Sequence, residues 1–285
     1  MPDLLTWWQH LPEKISPVIF EIGWFKLQYY GLMYIVAFAI SYGLVLHRIK
    51  REKRFQIKVD DIQGIMMFMI IGLIVGARLG YVLFYNFTYY LGNPLEIFLP
   101  FQFSGGVSFT GISGMSFHGG FIGVLISAWL FTRKTDLNFL DMADLFAPAV
   151  PLGYTFGRLG NFINGELYGR ITTSPIGMYF PSALGTGLRH PSQLYEAFFE
   201  GIFLFFVLWN MRKMQSPRGA MIAFYLIGYG AVRFVIEYFR QPDAHLGFVL
   251  MSLSMGQILC GAMISSGILL YLYLYHRSIH PHTTL

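Results

Sequence analysis

Charge and cysteine are what this sequence has least of. Asp, Glu, Lys and Arg make up only 12% of the 285 residues, against roughly 25% in an average soluble protein. Hydrophobic residues make up 55% and aromatic ones 18%. That balance excludes an ordinary soluble domain and points to an integral membrane chain. The single cysteine, Cys260, excludes an internal disulfide and a cysteine-cluster metal site. Its neighbours Ile258, Leu259, Gly261 and Ala262 are apolar, and a thiol there resists ionisation, so a buried packing residue is predicted. No His-Glu-x-x-His, no Gly-x-Ser-x-Gly with a partner histidine and no aspartate pair in facing apolar runs is present, which argues against an intramembrane protease. Residues Met1 to Trp8 lack the basic region and small-residue cleavage site of a leader, so removal of a segment is not expected. Linkers, low-complexity tracts and repeats are also missing. Residues 1–285 therefore read as a single polytopic membrane domain.

What is present is a series of apolar runs. With about 20 residues needed to cross the hydrocarbon, seven spans are predicted: Leu27–Leu46, Ile62–Tyr85, Gly114–Phe131, Ala143–Ile163, Leu194–Trp209, Gly219–Phe239 and Leu253–Tyr275. Pro148 and Pro151 in the fourth remove backbone donors and predict a kink. The net charge is +5, but the placement of the basic residues says more. Arg48, Lys50, Arg51, Lys53, Arg54, Lys58, Arg133, Lys134, Arg212, Lys213, Arg218 and Arg277 all fall on one side of a seven-span chain. That side is cytoplasmic by the positive-inside rule, with the amino terminus outside and the carboxyl terminus inside. The remaining basic residues are mostly arginines at outer ends, namely Arg78, Arg158, Arg170, Arg189, Arg233 and Arg240. A planar guanidinium suits bidentate phosphate binding better than an ammonium does. Two outer segments exceed simple turns. An arm is predicted at about 86–113 and a small head at about 164–193, each carrying prolines and aromatic residues suited to the headgroup level.

The fourth span ends abruptly in Gly157-Arg158-Leu159-Gly160-Asn161-Phe162-Ile163-Asn164-Gly165-Glu166-Leu167-Tyr168-Gly169. A central arginine costs on the order of 2.5 to 3.5 kcal/mol on insertion scales, so such a cluster needs a use. In a helix Arg158, Asn161 and Gly165 share a face, and Gly165 and Gly169 end it. The alternatives are a packed polar terminus and a phosphate site. Tyr229, Arg233, Glu237 and Arg240 form a second stripe at spacings of four, four and three. An intrahelical pair of Arg233 with Glu237 leaves Arg240 unmatched, which favours an anion cradle. Arg78, with Tyr81 and Tyr85, either serves the same end or binds a neighbour's carbonyls. Tyr29 and Tyr30 fit an aromatic belt. His118, within Met115-Ser116-Phe117-His118-Gly119-Gly120, is either an interface residue or a catalytic one. No histidine or carboxylate lies at metal-ligand spacing from it, so zinc is not expected. His276, His280 and His282 read as a solvated tail.

Together these motifs resemble the bacterial prolipoprotein diacylglyceryl transferase family. The likeness runs through Tyr29 to Tyr34, Gly76 to Val82, Met115 to Gly120, Gly157 to Gly169, Arg189 to Glu196 and Gly228 to Asp243 in order. Two departures are a stretch inserted at Ser104–Ser113 and a short head between Gly169 and Arg189. The resemblance implies seven spans in the bacterial cytoplasmic (inner) membrane. It also implies transfer of the diacylglyceryl group of phosphatidylglycerol to the lipobox cysteine in a prolipoprotein signal peptide, releasing glycerol phosphate at the outer leaflet. By that likeness the catalytic residues are His118, Arg158, Arg233, Tyr30 and Glu237. Phosphatidylglycerol falls to Arg158, Asn161, Glu166, Gly169, Tyr229 and Arg240, with Arg78 added from its span-two face with Tyr81 and Tyr85. No cofactor, metal or nucleic acid is required. An organic-anion transporter is the rival reading, since membrane arginines suit it. Two inverted halves with broken helices would favour it, but the polar residues gather instead at the outer ends.

Overall fold

The computed structural model describes residues 3–23, 25–99, 101–102, 108–109, 114–241, 248–250 and 253–280. The inserted stretch, apart from Ser108 and Phe109, lies outside them, as do Asp243 and His282. The chain is mostly helical and divides into two units, residues 1–48 with 143–285, and residues 49–142.

The first unit opens with α1 (Leu4–Gln9), α2 (Leu11–Lys14) and the hairpin β1 (Val18–Ile22) with β2 (Phe25–Gln28), which feeds α3 (Tyr29–Arg51). Asp3 caps α1 by accepting from the Thr6 N–H at 2.6 Å. Trp8, Leu11 and Ile15 pack on a small core of Phe162, Met178 and Phe180. The Trp8 indole donates to the Ile176 carbonyl at 3.1 Å, and the Tyr179 N–H to that of Gln9 at 2.8 Å. The amino-terminal helices thus cover the segment predicted as a head.

The second unit is built on α4 (Val59–Tyr85), followed by α5 (Phe87–Gly92), a 3-10 turn at Pro94–Ile97 and the two-residue strands β3 (Phe101–Gln102) and β4 (Ser108–Phe109). It continues into α6 (Phe117–Lys134). Helices α4 and α6 approach through small residues, where a Cβ at Gly76 would run into the Gly119 carbonyl. Such contacts are how helices associate without a hydrophobic drive in lipid. Ser116 caps α6 by accepting from Gly119 N at 3.3 Å and donates its own N–H to Ala77 at 2.9 Å.

The predicted span Ala143–Ile163 is broken, not merely kinked, into α7 (Phe139–Phe146) and α8 (Val150–Ile163). Pro148 sits in the break, and Pro151 lies in the first turn of α8, where a missing N–H leaves no intrahelical bond unmade. A continuous helix Ser192–Met211 follows, comprising α9 (Ser192–Tyr195), a π-helical segment Glu196–Phe203 and α10 (Leu204–Met211). The π segment is met by a residue of α8. Gly201 lies against Thr155, and the Thr155 hydroxyl is placed to donate to the Ala197 carbonyl at 3.2 Å or to the Pro151 carbonyl of its own helix at 3.3 Å, offering a partner where the ladder is displaced.

Helix α11 (Ala220–Ile236) starts at Gly219, and the Asp144 carboxylate accepts from Gly219 N at 2.8 Å and Met221 N at 2.9 Å. Buried Arg48 ties down the same corner by donating to the Asp144 and Leu145 carbonyls at 2.7 and 2.6 Å. After the short pair β5 (Phe248–Leu250) and β6 (Leu253–Ser254), α12 (Met255–Ile279) begins with a reciprocal cap between Ser254 and Gln257. Cys260 is buried in α12, as its apolar neighbours indicate. Among the described residues α3, α4, Ser192–Met211 and α12 are long and apolar enough to cross a membrane. Helix α11 is also apolar but spans 17 residues.

Candidate active site

The site grows out of the end of α8. Arg158 and Asn161 are one turn apart and Glu166 follows the helix, giving a relay. The Arg158 guanidinium donates to Asn161 Oδ1 at 3.2 Å, and the Asn161 amide donates to Glu166 Oε1 at 2.7 Å. Gly165 has φ +65° just past the helix, where a left-handed residue ends it. Leu167 also holds a positive φ of 57°, a conformation unfavourable for a bulky side chain. The returning chain imposes it. Gln193 donates to the Glu166 carbonyl at 2.6 Å and Ser192 to that of Leu167 at 3.0 Å. Gly169 donates its N–H to His190 at 2.8 Å and pairs with Arg240, and a Cβ there would strike the Phe239 carbonyl. The backbone thereby ties the signature to the end of the second stripe.

The two arginine segments meet on one carboxylate. Glu196, in the first turn of the π segment, is fully buried. Its Oε2 lies 2.9 Å from both Arg158 Nε and Arg233 Nη1, and its Oε1 lies 3.0 Å from Arg240 Nη1. Four residues on, Glu200 is also fully buried, 3.4 Å from Arg233. The Tyr154 hydroxyl accepts from Arg158 at 2.6 Å and donates to Glu200 at 2.5 Å. Arg233 pairs with Glu237 at 3.2 Å, as their spacing suggests. Arg240 also reaches Glu237 at 3.5 Å, and Ser254 donates to the other Glu237 oxygen at 3.3 Å. Tyr229 closes the side of the cluster, its ring edge-on to Tyr154 and stacked on Tyr225. Tyr30 packs where a side chain at Gly160 would intrude, with its hydroxyl 3.0 Å from that of Tyr34.

Arg240 is not unmatched, since Glu196 from another helix takes it. The arginine stripe is consequently not a bare positive surface: Arg158, Arg233 and Arg240 face Glu196, Glu200 and Glu237. Neither Glu200 nor Tyr154 stands out as a site residue in the sequence, and Glu196 does so only as the end of the Arg189 stretch. A signal for the pair existed, because two carboxylates four residues apart in an otherwise apolar helix need buried cations.

In the second unit, buried Arg78 donates to the carbonyls of Ile97 at 2.6 Å, Glu96 at 2.5 Å and Gly114 at 3.4 Å, with Tyr90 facing its guanidinium. That is the carbonyl-binding alternative, and it clamps the segment after α5. His118, in the first turn of α6, is exposed beside Phe117. Arg170 and Arg189 likewise hold backbone, through Arg240 at 2.7 Å and Leu184 at 3.0 Å respectively. His190 bonds the Tyr195 hydroxyl at 3.1 Å, and burial pushes its imidazole below the ordinary value.

Residues 17–273 match the family described as prolipoprotein diacylglyceryl transferase. The phosphatidylglycerol–prolipoprotein diacylglyceryl transferase of Chlorobaculum tepidum is 57% identical over 269 residues, covering 94% of this chain and 93% of that protein. Proteins of the same name from Coxiella burnetii and Treponema denticola are 46% and 43% identical, over 89% and 94% of this chain and 93% of each relative. The chain belongs to the prolipoprotein diacylglyceryl transferase family.

Proposed function

We propose that this protein is an integral membrane enzyme that moves the diacylglyceryl group of phosphatidylglycerol onto the lipobox cysteine of a prolipoprotein signal peptide, releasing glycerol phosphate. The observation that carries the reading is the convergence of Arg158, Arg233 and Arg240 within 3.0 Å of one buried acceptor. A set of guanidiniums so arranged recognises a phosphate by charge-assisted hydrogen bonds.

The chemistry asks for two things. A thiol with an ordinary pKa near 8.5 has to lose its proton before its sulfur attacks the glycerol carbon. As the sulfur–carbon bond forms and the carbon–oxygen bond breaks, the electron pair passes to the phosphate oxygen, and donors already in place lower that barrier. Arg158 and Arg240 hold the headgroup phosphate, and Asn161, Glu166, Gly169 and Tyr229 orient it. Arg233 and Glu237 set the cradle. His118, or a tyrosine such as Tyr30, takes the thiol proton. Arg78 donates to the carbonyls of Ile97 and Glu96, which ties it to the segment after α5. The lipid is consumed as donor, and both substrates enter sideways from the bilayer.

In this reading the chain is one polytopic domain of the bacterial inner membrane. Helix α6, the broken pair α7 and α8, and α11 complete seven crossings. The amino terminus and the head at 164–193 face the periplasm, the carboxyl terminus faces the cytoplasm, and the site opens to the outer leaflet. The decisive assay follows glycerol phosphate release by the purified protein from phosphatidylglycerol vesicles with a lipobox peptide. Release is expected with the cysteine peptide and not with its alanine version. Product that did not require the thiol would sink the proposal.

A further inference from the structure

Among the described residues, one carboxylate touches all three arginines of the cluster. Glu196 accepts from Arg233 at 2.9 Å and Arg240 at 3.0 Å and forms an ion pair with Arg158 Nε at 2.9 Å, while Glu200 reaches only Arg233, at 3.4 Å, and Glu237 reaches Arg233 and Arg240 at 3.2 and 3.5 Å. The arrangement is not forced by the arginines alone, which come from α8, from α11 and from the residues just after it. It is collected by an anion supplied from a different helix.

We infer that Glu196 is a built-in anion that occupies the arginine seat between turnovers and is displaced by the substrate's phosphate, which keeps the product from being held too tightly. The inference rests on the reading of these arginines as the phosphate seat. Carboxylate and phosphate present the same kind of acceptor to a guanidinium, two oxygens on one atom. In a buried setting two such anions side by side repel strongly, so the phosphate takes the seat only as Glu196 leaves it. Phosphate binding becomes an exchange: new charge-assisted bonds form as equivalent ones to Glu196 break, and the net affinity is modest. That matters most after the reaction. The phosphodiester donor carries one negative charge and the monoester product up to two, so an uncompensated triad favours product over substrate. Return of Glu196 to the arginines drives the product out. Glu196 acts through the arginines and not on the reacting atoms, which makes it a positioning residue.

Glu196→Gln keeps the shape and removes the competing charge. Calorimetric titration of the detergent-purified protein with glycerol phosphate is expected to show binding at least tenfold tighter in this variant than in the unsubstituted protein. Turnover on phosphatidylglycerol vesicles should show kcat and KM falling together, the mark of slow product release. Because removing one partner of a buried ion cluster can prevent folding, Glu196→Asp provides the second arm. Its shorter carboxylate withdraws from the guanidiniums and should tighten glycerol phosphate binding by a smaller factor. Unchanged or weaker binding in whichever variants fold overturns the inference and assigns Glu196 a purely structural part. Arg158→Gln separates the two claims. If it binds glycerol phosphate as well as the unsubstituted protein does, the phosphate seat itself is wrong and the inference falls with it.

Discussion

Arg158 is where charge, orientation and packing coincide. It meets Glu196 at 2.9 Å, Tyr154 at 2.6 Å and Asn161 at 3.2 Å, with its guanidinium over the Tyr154 ring. Lysine keeps the charge but loses the planar fork that serves three partners at once. Arg158→Lys and Arg158→Ala should both lower kcat/KM for glycerol phosphate release by about 10² to 10³, the range for loss of a donor aimed at developing charge; a lysine variant at near-normal rate would reduce the role to charge alone. His118→Gln should lower kcat by roughly 10² to 10⁴, as for other general bases. Near-normal turnover across pH would remove His118 as the obligatory base and leave the proton to a tyrosine. At this scale much was legible in advance, since arginines in apolar runs announce a need for anions. Their partners were not, because spacing along one helix reveals the Arg233–Glu237 pair but cannot reveal that Arg240 turns to Glu196 on another.

The elements carry two features that local pattern does not report. The π-helical segment Glu196–Phe203 depends on Thr155 in α8, a contact made 42 residues away in sequence. Thr155→Val retains the branched shape and removes the donor to Ala197. It should destabilise the protein by about 1 to 2 kcal/mol, with Thr155→Ser close to unaffected, as read by thermal unfolding in detergent. The α4–α6 contact is the second feature. A Cβ at Gly119 would meet the Gly76 carbonyl and lie 2.8 Å from Gly80 Cα, whereas Gly92 in α5 has open space around it. Gly119→Leu should cost about 1 to 3 kcal/mol or more by overpacking, and Gly92→Ala little. Equal effects would mean that α4 and α6 do not approach this closely. Prolines were visible as breakers, yet whether Pro148 kinks or ends a helix depends on what the freed groups find. Here Ala149 N–H turns back to Phe146 at 2.8 Å and a new helix starts.

For the whole molecule, the basic residues predict sidedness. In a Cys260→Ala background, cysteines placed at Lys213 and Arg170 should be labelled by an impermeant reagent from opposite faces of sealed vesicles. Labelling of both from one face would overturn the seven-crossing arrangement. The membrane character follows from 55% hydrophobic and 12% charged residues, and the family follows from motifs spread through the chain, because both are properties of residues counted or read in order. The glutamates beneath the arginines, the backbone tie between Gly169 and Arg240, and the assignment of Arg78 to carbonyls needed the packed chain. The reason is physical. Composition and periodicity state which groups must be satisfied, while the partner that satisfies each is chosen by which faces meet when the helices pack.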